Sequence, residues 1–112
     1  MDRVEELLRR LSLSDEGSLR SALTDPGLAA ASHLDARTEA LIRLGALLAV
    51  GAATVSLRWT VDLARAAGAT DEEMLGVLLA IAPAVGHARV VGVAPHLGLA
   101  LGFDFEEAEE LM

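Results

Sequence analysis

Glu39, Arg58 and His87 are side chains of the types that move protons or hold carboxylates, and each sits in a pattern that gives it a setting. Glu39 lies four residues before Arg43, so on a helix the two share a face. The pair reads either as a solvent-facing ion pair or as a pocket carboxylate able to shuttle a proton. Arg58 precedes Trp59, the only tryptophan. A guanidinium there can clamp a substrate carboxylate through two parallel hydrogen bonds, or pair with an acid across a subunit contact. Trp59 can wall a substrate site, or anchor a core or an interface. His87 follows Gly86 at an expected helix start, with Arg89 two residues on. It reads as a second proton carrier or as a structural imidazole satisfied by a carbonyl or water. His96, beside Pro95, fills space at an expected kink, and His33 falls in a loop. The three histidines lack the close helical spacing of a zinc site, and no His-Glu-x-x-His occurs, so neither metal nor cofactor is expected.

What is missing narrows the chemistry further. The chain has no cysteine, which removes disulfides, thiolate nucleophiles and cysteine metal sites together. It has no lysine for a Schiff base and no tyrosine for a phenolic acid. No Gly-x-Ser-x-Gly elbow is present, and the glycines are dispersed rather than gathered into a phosphate-cradling loop. The formal charge is −8 and every cation is arginine or histidine, a poor balance for nucleic acid, where neutralising phosphates supplies most of the affinity. The acid-bearing N-terminus does not read as a signal peptide, and the uncharged stretch at 44–57 is too short to span a bilayer. The expectation is a soluble cytoplasmic protein with no membrane or nucleic-acid partner.

These residues need elements to position them, and the patterning is helical throughout. More than half of the 112 residues are hydrophobic, at 53%, with one tryptophan and two phenylalanines, so the core must be built of Leu, Ala and Val. Residues 2–11 carry Val4, Leu7, Leu8 and Leu11 at the spacing of a short amphipathic helix. Ser14-Asp15-Glu16 can cap a second helix through Ala22, and Asp25-Pro26-Gly27 reads as a turn. Asp35 is the expected N-cap of a helix to about Val50, with Gly51 as its stop. A helix from about Thr54 to Ala67 follows. Gly68 then closes it, and Thr70 with Glu73 forms a capping box for a helix from Asp71 to about Ala82. Another runs from near Ala84 to Leu101, bent or broken at Pro95, and Asp104 with Glu107 caps an acidic terminal helix. No strand alternation or internal repeat is present. The expectation is one all-α domain over 1–112. Leu41, Ile42, Leu44, Leu47, Leu48 and Val50 cannot all face one small core, and the same holds for Leu75–Ile81, so self-association is expected.

Four segments, in this order and spacing, carry a resemblance: Leu34-Asp35-Ala36-Arg37-Thr38-Glu39-Ala40-Leu41-Ile42, Ser56-Leu57-Arg58-Trp59, Ala66-Ala67-Gly68-Ala69-Thr70-Asp71-Glu72-Glu73 and Ala82-Pro83-Ala84-Val85-Gly86. Over 34–102 the chain resembles the carboxymuconolactone decarboxylase and alkylhydroperoxidase D family. The resemblance implies a compact multi-helix domain assembling as a homotrimer or hexamer. It also implies one of two chemistries: a redox branch with Cys-x-x-Cys, a histidine four residues later and an upstream glutamate, or a thiol-free branch that decarboxylates a small lactone acid. Laid on this sequence, the two cysteines fall on Ala53 and Ser56, the histidine on Thr60, and the upstream glutamate on Glu39, across a loop about two residues longer. Alanine and serine cannot carry a thiolate, so thiol peroxidase chemistry is excluded for this chain. The resemblance also places His87, after Pro-x-x-Gly, in a segment that borders the family's pocket.

Two functions remain open. One is an acid/base lyase or isomerase on a small organic acid or lactone, needing no cofactor, with Glu39 and His87 as catalytic residues and Arg58 and Trp59 binding substrate. The other is an oligomeric binding or structural module that kept the fold and lost its activity. Convergence of these side chains on one pocket favours the first, and their dispersal into separate ion pairs favours the second.

Overall fold

A computed structural model describes residues 2–13 and 32–103. The expected helix at 14–22, the turn at Asp25-Pro26-Gly27 and the capping pair Asp104/Glu107 lie outside the described residues. The chain divides into two compact units, Met1–His33 and Leu34–Met112. The first holds α1, Arg3–Leu13, none of whose residues is buried. Its first turn carries Glu5 and Glu6, its last turn carries Arg10, and Glu6 pairs with Arg9 and Arg10 along one face. His33 ends this unit exposed, with a left-handed backbone at φ 56° that histidine tolerates better than most residues.

The second unit holds four helices: α2 at Ala36–Val50, α3 at Thr54–Ala66, α4 at Asp71–Val85 and α5 at His87–Leu101. Among the described residues every element is α-helical. Asp35 caps α2, its side chain accepting from the Thr38 N–H at 2.7 Å. At the far end Gly51 adopts φ 73°, and the Gly51 and Ala52 N–H groups return to the carbonyls of Leu48 and Leu47, which closes the helix in a Schellman pattern. Thr70 caps α4 with the full reciprocal box, Thr70 Oγ1 accepting from the Glu73 N–H and Glu73 Oε1 accepting from the Thr70 N–H.

Two boundaries differ from the sequence expectation. Helix α4 runs on to Val85 through Pro83, and α5 begins at His87 and passes through Pro95 without a break. The interruption falls at Gly86, whose φ 88° and ψ 163° lie outside any helix. Proline removes the N–H that would have bonded the carbonyl four residues back, here on Leu79 and Val91. Both of those residues are exposed, so water can satisfy what proline leaves open.

The core draws Ala40, Leu44 and Leu48 from α2, Leu57, Val61 and Ala64 from α3, Met74 and Leu78 from α4, and Val93, Leu97 and Ala100 from α5. Helix α2 packs on both α3 and α4, and α5 lies against α3 and α4. At Gly45 the approach of α2 to α4 is close, since a Cβ there would stand 3.2 Å from Val77 Cγ1. Only one side of each helix is used. Ile42, Val50, Val55, Trp59, Leu63, Leu75, Leu79 and Leu99 all stay exposed, which is the apolar excess the sequence led us to expect.

Ion pairs tie the helix ends. Arg37, in the first turn of α2, pairs with Glu73 in the first turn of α4. Arg65, at the end of α3, donates to Asp71 Oδ1 at 2.9 Å and to the Leu101 carbonyl at 2.8 Å, joining the start of α4 to the end of α5.

Candidate functional site

The resemblance lays the family's redox residues on the beginning of α3, a position whose geometry suits thiol chemistry. Ala53 is the N-cap of α3 and Ser56 lies in its first turn. The free N–H groups and positive end of a helix stabilise a thiolate there. With alanine at the N-cap, no side chain bonds those N–H groups. One turn later Thr60 is buried, and its hydroxyl donates to the Ser56 carbonyl at 3.2 Å, within its own helix. Beside these residues lies a depression of about 350 Å³, lined by Leu47, Val55, Ser56, Trp59 and Thr60. Its walls are apolar apart from two hydroxyls.

The four sequence-derived candidates do not gather there. Trp59 lines the depression but is 72% exposed, so it is not a core residue. Arg58 is exposed and, among the described residues, makes no hydrogen bond or ion pair. Glu39 stands half-buried in the first turn of α2, its Oε2 3.7 Å from Nη2 of the exposed Arg43. His87 is exposed at the first position of α5. No hydrogen bond or ion pair among the described residues links Glu39, Arg58 and His87 to one another, and none of the three lines the depression.

Several polar roles here were not readable from the sequence. His96, assigned only to fill space, receives or donates a 2.8 Å hydrogen bond between Nδ1 and Thr54 Oγ1, joining the start of α3 to the middle of α5. Arg89 lays its guanidinium beside Gly51, near the negative end of α2, a helix with no basic residue in its own last turn. The Arg65 contacts span 36 residues of sequence to Leu101. Their one local signal is a basic residue in the last turn of α3.

Two further grooves are apolar. One of about 490 Å³ runs between α2 and α4 past Ile42, Gly45, Ala49 and Ile81. The other, of about 410 Å³, lies between α4 and α5, with Leu75, Leu97 and Phe103 in its walls and Asp71 and Glu72 at its rim. Among the described residues no cluster of His, Asp or Glu is arranged to hold a metal ion, and no helix is long and apolar enough to cross a membrane.

A comparison against protein families bears on the chain as a whole. The model of the carboxymuconolactone decarboxylase family matches residues 19–95. The chain belongs to the carboxymuconolactone decarboxylase family. Neither a curated protein nor a solved structure matches it. As a member without cysteine, it cannot perform any step of the family that needs a thiolate or a disulfide.

Proposed function

We propose that this chain is a non-catalytic, self-associating member of the carboxymuconolactone decarboxylase family, retaining the helical fold as an assembly or binding module. One observation carries this reading: the groups available for chemistry do not converge on one pocket, while large apolar side chains stand exposed on every helix of the second unit. Glu39 pairs with Arg43, Arg37 with Glu73 and Arg65 with Asp71, whereas Val55, Trp59 and Leu63 stand exposed along a single helix. Catalysis by proton transfer requires an acid or base within reach of a held substrate, and binding energy is useful only where it is concentrated. Apolar faces of this extent are the usual mark of a protein–protein contact. Sedimentation of the full chain over a wide concentration range tests the reading. A mass of several subunits supports it, and a single-subunit mass at every concentration rules it out.

A second reading, a lyase or isomerase acting by acid/base chemistry on a small organic acid or lactone, has one observation in its favour. The Arg58 guanidinium carries no partner among the described residues, and Arg58 is next in sequence to Trp59, which lines the depression. An unpartnered guanidinium is suited to a carboxylate. Release of carbon dioxide from carboxymuconolactone, abolished by Arg58→Gln, would move the conclusion to this reading.

A further inference from the structure

The outer face of α3 carries apolar and charged residues in a self-complementary order. Val55, Trp59 and Leu63 recur every four residues and are 77%, 72% and 48% exposed, forming one stripe. Arg58 and Asp62 also stand four apart, and at 100° per residue both fall on the same flank of that stripe. Both are exposed, and among the described residues neither makes a hydrogen bond or ion pair. Arginine placed before the acid is the weaker order for a pair within one helix, consistent with their standing apart.

We propose that this face is a two-fold contact between copies of the chain, with α3 antiparallel to its counterpart and Arg58 paired with Asp62 of the partner subunit. The proposal rests on the self-association reading above and adds the surface and the symmetry. A two-fold axis across antiparallel helices brings each flank against the same flank of the other copy. With the axis at Trp59, Arg58 lies about 3 Å along the helix from Asp62 of the partner subunit, within reach of an arginine side chain, and the reciprocal pair forms at the same time. Along the stripe Val55 comes opposite Leu63 of the partner subunit, and Trp59 packs on its own counterpart. A parallel two-fold would carry the charged flanks to opposite sides of the seam, where Arg58 and Asp62 could not pair across it. The other faces offer no such code. The α4–α5 groove carries Asp71, already paired with Arg65, and Glu72, with no cation in its lining, and the α2–α4 groove has no charged side chain in its lining. A two-fold contact fits a dimer, or a hexamer built of two trimers, and not an isolated trimer.

The test uses the full-length chain, with dissociation constants from sedimentation equilibrium for wild type, Arg58→Asp, Asp62→Arg and the double variant. Each single reversal sets like charges at both symmetric contacts and weakens association by about tenfold or more, and the double reversal restores it. An equimolar mixture of the two single variants forms the mixed pair in preference to either self-pair. Both positions are exposed, and far-ultraviolet circular dichroism verifies that each variant is folded. If wild type associates but single reversals leave its dissociation constant unchanged, the α3 face is overturned while self-association stands. If the double variant is as weak as the singles combined, the pairing is overturned. A wild type that stays a single subunit overturns both the face and the reading beneath it.

Discussion

At the scale of single residues, the start of α3, where the resemblance lays the family's cysteines, is a helix N-terminus with one defect. Ala53 leaves the first turn of α3 without a side-chain acceptor, although its backbone at φ −68° and ψ 158° is already that of an N-cap. Ala53→Ser should therefore raise the unfolding free energy by about 1 kcal/mol, read as a higher urea midpoint at unchanged slope. An unchanged midpoint would mean that other groups already satisfy those N–H groups. Thr60 shows the opposite situation. It is 7% exposed, and its hydroxyl donates to the Ser56 carbonyl of its own helix. Restoring the family's histidine by Thr60→His should destabilise the chain by roughly 1–3 kcal/mol through overpacking. The local parts of this site were legible in the sequence. The Glu39–Arg43 spacing and the alignment of Ala53, Ser56 and Thr60 are short-range facts. Whether Glu39, Arg58 and His87 meet depends on how three helices pack, and no spacing in the sequence encodes that.

At the scale of elements, the caps and latches set how the chain responds to pH and substitution. Hydrogen bonds from the Thr38 backbone and side chain, with Arg37 nearby, hold the Asp35 carboxyl below its ordinary value of about 3.9. A depressed carboxylate favours the fold above that ordinary value, and the contribution is lost as pH falls through the lower, folded-state value. The thermal midpoint of wild type should drop more steeply below about pH 4 than that of Asp35→Asn, which retains an acceptor but does not titrate. Equal slopes would remove Asp35 from the account of acid sensitivity. The Arg65 latch is an arginine-specific device, because one planar fork reaches both Asp71 and the Leu101 carbonyl. Arg65→Ala should cost about 1 kcal/mol in denaturant unfolding, a modest figure because both charges are well exposed, and Arg65→Lys should recover only part of it. The capping box at Thr70 and Glu73 and the glycine stop at Gly51 could be read from sequence because each is complete within a few residues. The Arg65 latch and the Thr54–His96 bond join residues 36 and 42 positions apart, so only the packed bundle reveals them. Pro83 and Pro95 misled for a similar reason. A proline breaks a helix when the carbonyl it strands is buried, and burial is a tertiary property.

At the scale of the whole molecule, the four helices of residues 34–103 enclose a small Leu, Ala and Val core and leave a second set of apolar side chains outside it. That excess was legible from the number of apolar positions around each helix. Its location on α3 was not, because the sequence does not say which side of each helix the core will take. Trp59 is the only tryptophan of the chain and lies at the centre of the exposed stripe, so its fluorescence reports on the proposed contact directly. The most direct measurement is its emission and quenching by iodide as the full-length wild-type chain is diluted. Our account predicts a blue-shifted, quencher-protected signal in concentrated samples that turns red and accessible as the assembly dissociates. A red, accessible Trp59 at every concentration would contradict it.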